Sequence, residues 1–300
     1  MINRVQGIPL NHMASTSTTR ILKAIGQIGF SIAALWLVFS KIDLSDFWEY
    51  ATSINLLWLI IALILLNIGQ IISGLRLRYY LNSIGVHMER LPTVMLYYVG
   101  LFLNHLLPGG IGGDGYKVWY VKKYKQAKVS DAIRRVLSAR ANGLLALMLI
   151  TICMTPFSPA VADFSYGVLF SWLCLPIVVI AYYLGSLWIL KEPLNSQLGA
   201  FPYSLGVQLT NLLCAYALLI GLDVGGAHID YLLLFMVSCI ASVIPISFGG
   251  ARLRELTFLW LAPFMQVDVE AGIAMSLIYF IINILASLQG IVFFHKLTRS

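Results

Sequence analysis

Charge is what this sequence has least of. Of its 300 residues only 11% are Asp, Glu, Lys or Arg, while 59% are hydrophobic and the mean hydropathy is +0.84. Soluble domains carry about 25% charged residues. No stretch here is polar enough to form one, the longest hydrophilic segment being 122–135. The basic excess therefore belongs to a membrane surface and not to a nucleic-acid site. Cysteine is also sparse. Cys153, Cys174, Cys214 and Cys239 each sit alone in an apolar run, without a CxxC pair, and read as small buried hydrophobes. The sequence has no HExxH, no Ser–His–Asp grouping at helical spacing and no nucleotide-sugar motif. We therefore expect no catalytic residue, metal or cofactor, and any function must operate in or at the bilayer.

What is present is a series of apolar runs. Measured against a span of about 20 residues, six full crossings are predicted at 22–40, 56–75, 136–155, 166–189, 203–222 and 272–294. The polar segment 1–19 reads as a disordered tail. Arg20 and Lys23 then introduce an uncleaved first span, no small-x-small cleavage site being evident. Two further apolar stretches are too short. The run 92–107 ends at Pro108; at about 1.5 Å per residue it reaches about 24 Å of a roughly 30 Å core. The run 231–244, before Pro245, is shorter still.

Charge parity explains the short runs. Lys and Arg collect in cytoplasmic loops. Arg4, Arg20 and Lys23 place the N-terminus inside, and Asp43, Asp46 and Glu49 mark the next loop as outside. Arg76, Arg78 and Arg90 mark an inside loop, and so do Lys117, Lys122, Lys123, Lys125, Lys128, Arg134 and Arg135. Segment 92–121 thus starts and ends inside and is predicted to be a re-entrant hairpin. Segment 231–267 lies between Asp223/Asp230 and Asp268/Glu270 and is predicted to enter from the opposite face. Lys296 and Arg299 put the C-terminus inside. The fold class is an all-α polytopic membrane protein with six transmembrane helices and two re-entrant hairpins, in a single domain over 20–295.

The hairpins share a pattern. PGGIGGD from Pro108 and PISFGGA from Pro245 are both P-x-x-x-G-G. Superposing them aligns the flanking spans as well, and three crossings per half make the halves inverted repeats, about 20–157 and 160–295. Asn67 and Gln70 in one half are echoed by Gln208 and Asn211 in the other. Broken backbone survives at membrane depth only where protein or a wet cavity covers it, and inverted-repeat transporters form their substrate sites from such half-helix ends. Helices restarting near 114–121 and 251–264 would present N-terminal N–H groups to an anion. The expected binding residues are Gly112, Gly113, Asp114 and Lys117 from the first hairpin and Gly249, Gly250, Arg252, Arg254 and Glu255 from the second. Asp114 is in position to cap the first return helix. Arg252 and Glu255 are spaced to pair, which leaves Arg254 for a phosphate, a carboxylate or water. Asn104, Asn142, Asn283 and Gln289 read as interhelical hydrogen-bonding groups and His105 as a further candidate for the cavity wall.

PGGIGGDGYK (108–117), Arg76–Leu77–Arg78 ahead of Gly85, Arg140 heading a span and SFGGARLRE (247–255) together resemble the lysylphosphatidylglycerol synthase transmembrane-domain family. These are flippase-like integral membrane proteins, also found as the membrane half of the multiple peptide resistance factor. The resemblance extends over about 20–295. Pro108, Gly112, Gly113, Asp114, Pro245, Gly249, Gly250 and Glu255 match the family pattern, whereas Lys117 stands in place of an arginine and Arg252 in place of a glycine. It implies a bacterial inner-membrane or archaeal protein that handles lipid-linked molecules. The chain stops six residues after its last expected span, so the soluble aminoacyltransferase domain of lysyl-transferring members is not expected. Two functions remain open. One is a lipid translocase holding an anionic phospholipid or lipid-linked phosphate between the hairpins. The other is a membrane-embedded transferase, or accessory to a lipid-modifying enzyme, acting on polyprenyl-phosphate lipids with Asp114, His105 or Glu255 as base. IGGD at 111–114 superficially resembles intramembrane aspartyl proteases, but the glycine two residues earlier and a second catalytic aspartate are missing.

Overall fold

The computed structural model describes residues 44–106, 111–164, 166–226, 228–243 and 251–297, with the side chains of 44–47, 51 and 251–252 left aside. The expected tail 1–19, the first span 22–40, and Pro108, Pro245, Gly249 and Gly250 lie outside these residues. Among the described residues all regular structure is helical. The order is α1 (Leu44–Ser53), α2 (Leu56–Asn82), α3 (Arg90–Leu106), α4 (Gly112–Lys125), α5 (Val129–Met154), α6 (Pro159–Ala162), α7 (Gly167–Gly185), α8 (Leu194–Gly221), α9 (His228–Ala241), α10 (Ala251–Leu261), α11 (Val269–Ser287) and α12 (Gln289–Leu297). Five helical stretches are long and apolar enough to cross a membrane: Leu56–Asn82, Val129–Phe157, Gly167–Leu190, Leu194–Gly221 and Val269–Leu297. They overlap five of the six predicted crossings.

Helix boundaries follow local chemistry. The Asn55 side chain accepts a hydrogen bond from Leu57 N at 2.9 Å and opens α2, and Asp268 accepts from Ala271 N at 3.1 Å to open α11. At the other end, Gln126 closes α4 in the left-handed conformation, φ 54°. Gln266 does the same, φ 52°, after the short 3₁₀ turn that extends α10. A long helix then begins three residues later in each case, at Val129 and at Val269. The sequence long helix, short pair, long helix thus occurs twice along the chain.

Helices α2 and α8 lie antiparallel along their whole length. Asn55 N donates to Gly221 O at 2.7 Å at one end, and Tyr79 stacks near Tyr203 at the other, with ring centroids 6.1 Å apart. One end of the bundle is acidic. There Tyr50 Oη donates to Asp268 Oδ2 at 3.0 Å, Ser158 donates to Asp230, and Asp268 N donates to Tyr231 Oη at 2.8 Å. This last bond joins the beginning and the end of 231–267. The opposite end is basic and aromatic. His87, Glu89, Pro92, Tyr124, Lys125 and Leu297 line one cavity there, which joins the start of α3 to the end of α4.

The larger core sits between α2, α8, α9, α10 and α11, with Leu66, Leu218, Phe235, Met236, Phe258 and Ile273 buried. A second cluster, with Leu77, Leu96, Val99, Val121 and Val136, lies towards the basic end. Helix α7 buries no residue and exposes Leu169, Phe170, Leu173, Ile177 and Ile180, as a helix bathed in lipid would. Of the cysteines Cys214 is buried, but Cys153 is exposed on α5, which corrects the expectation that all four are interior.

Small residues bring backbones together. A Cβ built on Gly113 would lie 1.7 Å from the Gly100 carbonyl oxygen, so α3 and α4 touch main chain to main chain. Gly115, two residues on, has nothing within 4 Å of such an atom. Gly113→Ala is expected to force the two helices apart, at a cost of at least about 1–3 kcal/mol. Gly115→Ala is expected to hold or raise stability by up to about 1 kcal/mol, as alanine favours a helix interior. Thermal melting of the two variants in detergent checks the contrast; equal melting points would refute the close contact.

Candidate functional site

Near the junction of α2, α3, α4 and α5 lies a cavity of about 190 Å³. Its wall carries Ser73, Arg76, Tyr97, Asn104, Asp114, Lys117 and Arg140, together with Leu77, Val136 and Ala139. Four ionisable chains thus face one small space. Three are cations and one is a carboxylate.

The carboxylate is the hub. Asp114 sits in the first turn of α4, and its residue is 7% exposed. Lys117 Nζ, one turn on and equally buried, donates to Asp114 Oδ1 at 3.0 Å. Arg140 Nε, from α5, pairs with Asp114 Oδ2. Asp114 is therefore no N-cap, as the sequence suggested. Ile111 occupies the cap position, without a side-chain hydrogen bond, and the acid turns inward because two cations converge on it. Lys117 also lies 4.5 Å from the centroid of Tyr97, a cation–π contact that fixes its stem against α3. Gly113 N donates to Asn104 Oδ1 at 2.8 Å, so one of the amides expected to await an anion is already taken. Gly112 begins the helix beside it and is half-buried.

Arg76 is the side chain that sequence reasoning placed wrongly. It was expected in a loop after a span ending at residue 75, but α2 runs on to Asn82 and buries Arg76 to 8% exposure. No proline or glycine interrupts 75–82, which was the signal for a longer helix. Arg76 Nη1 donates to Ser204 Oγ at 2.9 Å, and Ser204 in turn donates to Asn142 Oδ1. Asn142 Nδ2 donates to Tyr182 Oη at 2.9 Å and to Gln197 O at 3.2 Å. The guanidinium is thus braced from α8 and α5, yet its Nε is buried without a hydrogen-bond partner. Lys117 lies on α4, within the helix expected near 114–121, and Arg135, counted with the basic loop, turns inward to pair with the buried Glu192.

The second hairpin's residues lie elsewhere. Glu255, 0% exposed, accepts from Ser276 Oγ at 2.7 Å, which ties α10 to α11. Arg254 lies 4.8 Å from the Tyr279 centroid and 6.0 Å from that of Phe235. Neither lines the cavity around Asp114. Gly249 and Gly250 lie outside the described residues, as does the Arg252 side chain. Gln289 and Tyr98 both donate to Asn67 Oδ1, at 2.7 Å and 2.8 Å, an interhelical role as expected. His105 Nδ1 approaches its own helix at Leu101 O, 2.9 Å, and is not among the cavity's lining residues. Among the described residues no group of three His, Cys, Asp or Glu is placed to hold a metal.

Residues 24–290 match the family model described as the lysylphosphatidylglycerol synthase TM region. The chain belongs to that family. Among curated proteins no match was found. Membership and the five apolar helices together make this a multi-pass membrane protein of a lipid-related family. In this lysylphosphatidylglycerol synthase TM region the cavity gathers Arg76, Asp114, Lys117 and Arg140, of which only Asp114 and Lys117 were named as binding residues from sequence.

Removing the hub should expose its importance. Leaving buried charges without their counter-ion costs about 3–5 kcal/mol, so Asp114→Ala is expected to lower the melting temperature in detergent sharply. Adding Lys117→Met returns the wall to its original charge balance and should recover most of the loss. An Asp114→Ala single variant as stable as the parent would show that the pair carries no structural load.

Proposed function

We propose that the protein is a flippase-like lipid translocase that takes an anionic or phosphate-bearing headgroup at its broken helices while the acyl chains stay in lipid. The observation that carries this reading is the cavity wall on which three cations, the buried Arg76 and Lys117 and the half-exposed Arg140, face one carboxylate. A positive cavity at membrane depth is costly unless an anion enters it. In this reading 92–121 and 231–267 are re-entrant hairpins dipping from opposite leaflets, a sixth span precedes α1, and the halves are inverted repeats. The meeting of the ends of each short segment supports it, as does the twice-repeated helix order. The Lys- and Arg-rich end is then cytoplasmic, with both termini inside a bacterial inner membrane. Gly249, Gly250, Arg252, Arg254 and Glu255 form the opposing hairpin, and rocking of one half against the other exposes the headgroup alternately. Under this scheme Asp114 serves as a counter-ion for its two cations, which favours translocation over the transferase alternative that would use it as a base.

Two measurements test this. Cysteines placed at Arg90 and Tyr124 should react with an impermeant thiol reagent from the same side of the membrane; labelling from opposite sides would refute the first hairpin. Purified protein in liposomes should speed the transbilayer movement of a fluorescent anionic phospholipid by about tenfold or more, a change equivalent to about 1.4 kcal/mol in barrier. Replacing Arg254 or Glu255 should remove that acceleration. Wild-type protein that leaves the lipid unmoved but transfers a group from a polyprenyl donor would decide for the transferase.

A further inference from the structure

Resting on the headgroup reading above, we infer that the Asp114 cavity selects a terminal phosphomonoester, and so a lipid ending in phosphate, over the phosphodiester of ordinary anionic phospholipids. Three features of the cavity lead there.

The first is charge. The wall sets three cations against one carboxylate: Arg76 and Lys117 are buried, and Arg140 is half-exposed. A phosphomonoester carries about −1.5 to −2 near pH 7, its second pKa being about 6, whereas a diester carries a single negative charge. The monoester dianion can meet the buried Arg76 and the half-exposed Arg140 together; the single charge of a diester meets one of them.

The second is the donor set. Arg76 Nε is buried and unpartnered, and its residue is more than nine-tenths buried among the cavity's lining. Ser204 holds Nη1 from behind at 2.9 Å, so the guanidinium is oriented before any ligand arrives. Lys117 engages Asp114 through one of its three donors. A terminal phosphate presents three oxygens and can accept from Arg76 and Lys117 together. A diester buried the same way must also fit a second ester substituent.

The third is space. A volume of about 190 Å³ corresponds to about six water molecules at roughly 30 Å³ each and falls below the roughly 300–1,000 Å³ of drug-sized sites. It suits a terminal phosphate with the first atoms of its chain. The Arg140 side chain is 45% exposed, so that chain has a way out of the protein.

The shared chemistry is a phosphate at the end of an apolar chain, either glycerolipid or isoprenoid. The test titrates the purified full-length protein in detergent with dioctanoyl phosphatidate, farnesyl phosphate, dioctanoyl phosphatidylglycerol and inorganic phosphate. At about pH 7.5 at least one lipid monoester should bind about tenfold or more tighter than the diester, the size of one extra hydrogen bond to a charged group. The ratio should shrink by up to about tenfold on going to about pH 5, as the monoester takes up its second proton. The groups facing the ligand are Arg76 from α2, Tyr97 from α3, Asp114 and Lys117 from α4 and Arg140 from α5. They are common to both titrations, so the ratio isolates the ligand's own proton. Arg76→Gln should abolish the preference; if that variant fails to fold, the half-exposed Arg140→Gln serves the same purpose.

Tight binding of phosphatidate alone, or of farnesyl phosphate alone, supports the inference and identifies the chain. A diester that binds as tightly as both monoesters overturns it, while the translocase reading survives if liposomes still show movement of the anionic lipid. Inorganic phosphate binding as well as either lipid monoester overturns the lipid assignment. Failure of every ligand, together with failure of the liposome assay, removes both readings.

Discussion

The structure depends on one buried carboxylate. Asp114 is held by Lys117 from its own helix and by Arg140 from the next, and this arrangement decides how α4 lies against α5. Charges placed in apolar surroundings keep their ionisation only when paired and hydrogen-bonded. The short helix α4 makes the pairing possible. It begins inside the protein, so its first turn delivers an acid and a lysine at i and i+3 where a continuous helix would have placed apolar side chains. The start of α4 inside the protein and the buried ionic cluster are two aspects of the same feature.

Close packing is what lets that short helix remain in place. In a membrane helices gain little from hydrophobic exclusion and associate through contact area and hydrogen bonds. Gly113 against Gly100 supplies the contact and Asn104 to Gly113 N the hydrogen bond, both at the point where α4 begins. On the other side Gly290 allows α12 to approach Tyr98 of α3, where a Cβ would lie 2.4 Å from the Tyr98 carbonyl oxygen. The first short pair is thus fixed by main-chain proximity from two directions. The second pair relies on Glu255 and Ser276, and on Phe258 packed over Gly272, to hold α10 against α11. The two halves share an order of elements but differ in which side chains carry the load.

Much of the architecture was legible because lipid imposes simple rules. Long apolar runs marked α2, α5, α7, α8 and α11, and the deficit of apolar length at 92–107 and 231–244 marked the short pairs. Asp114 was read as a helix cap, and its pairing with Lys117 at i, i+3 came only with the structure. Arg76 and Arg140 were harder. Each lies on a different long helix, and what unites them with Asp114 is the way α2 and α5 pack, which no local pattern encodes. A span taken to end at residue 75 also cut Arg76 from its helix, because a hydropathy window stops at the first arginine while a hydrogen-bonded helix does not.

That error carries physical information. A buried arginine six residues short of the α2 terminus must be compensated, and Ser204 satisfies only one of its nitrogens. If Arg76 served only to fasten α2 to α8, a neutral donor would make the same bond to Ser204 with less desolvation cost. A braced cation with one buried N–H unpartnered is better explained by a partner that comes and goes. Asp114 makes its ion pairs with Lys117 and Arg140, one on each oxygen. Under the proposed function the remaining positive charge of the cavity is met by an anion from outside the chain.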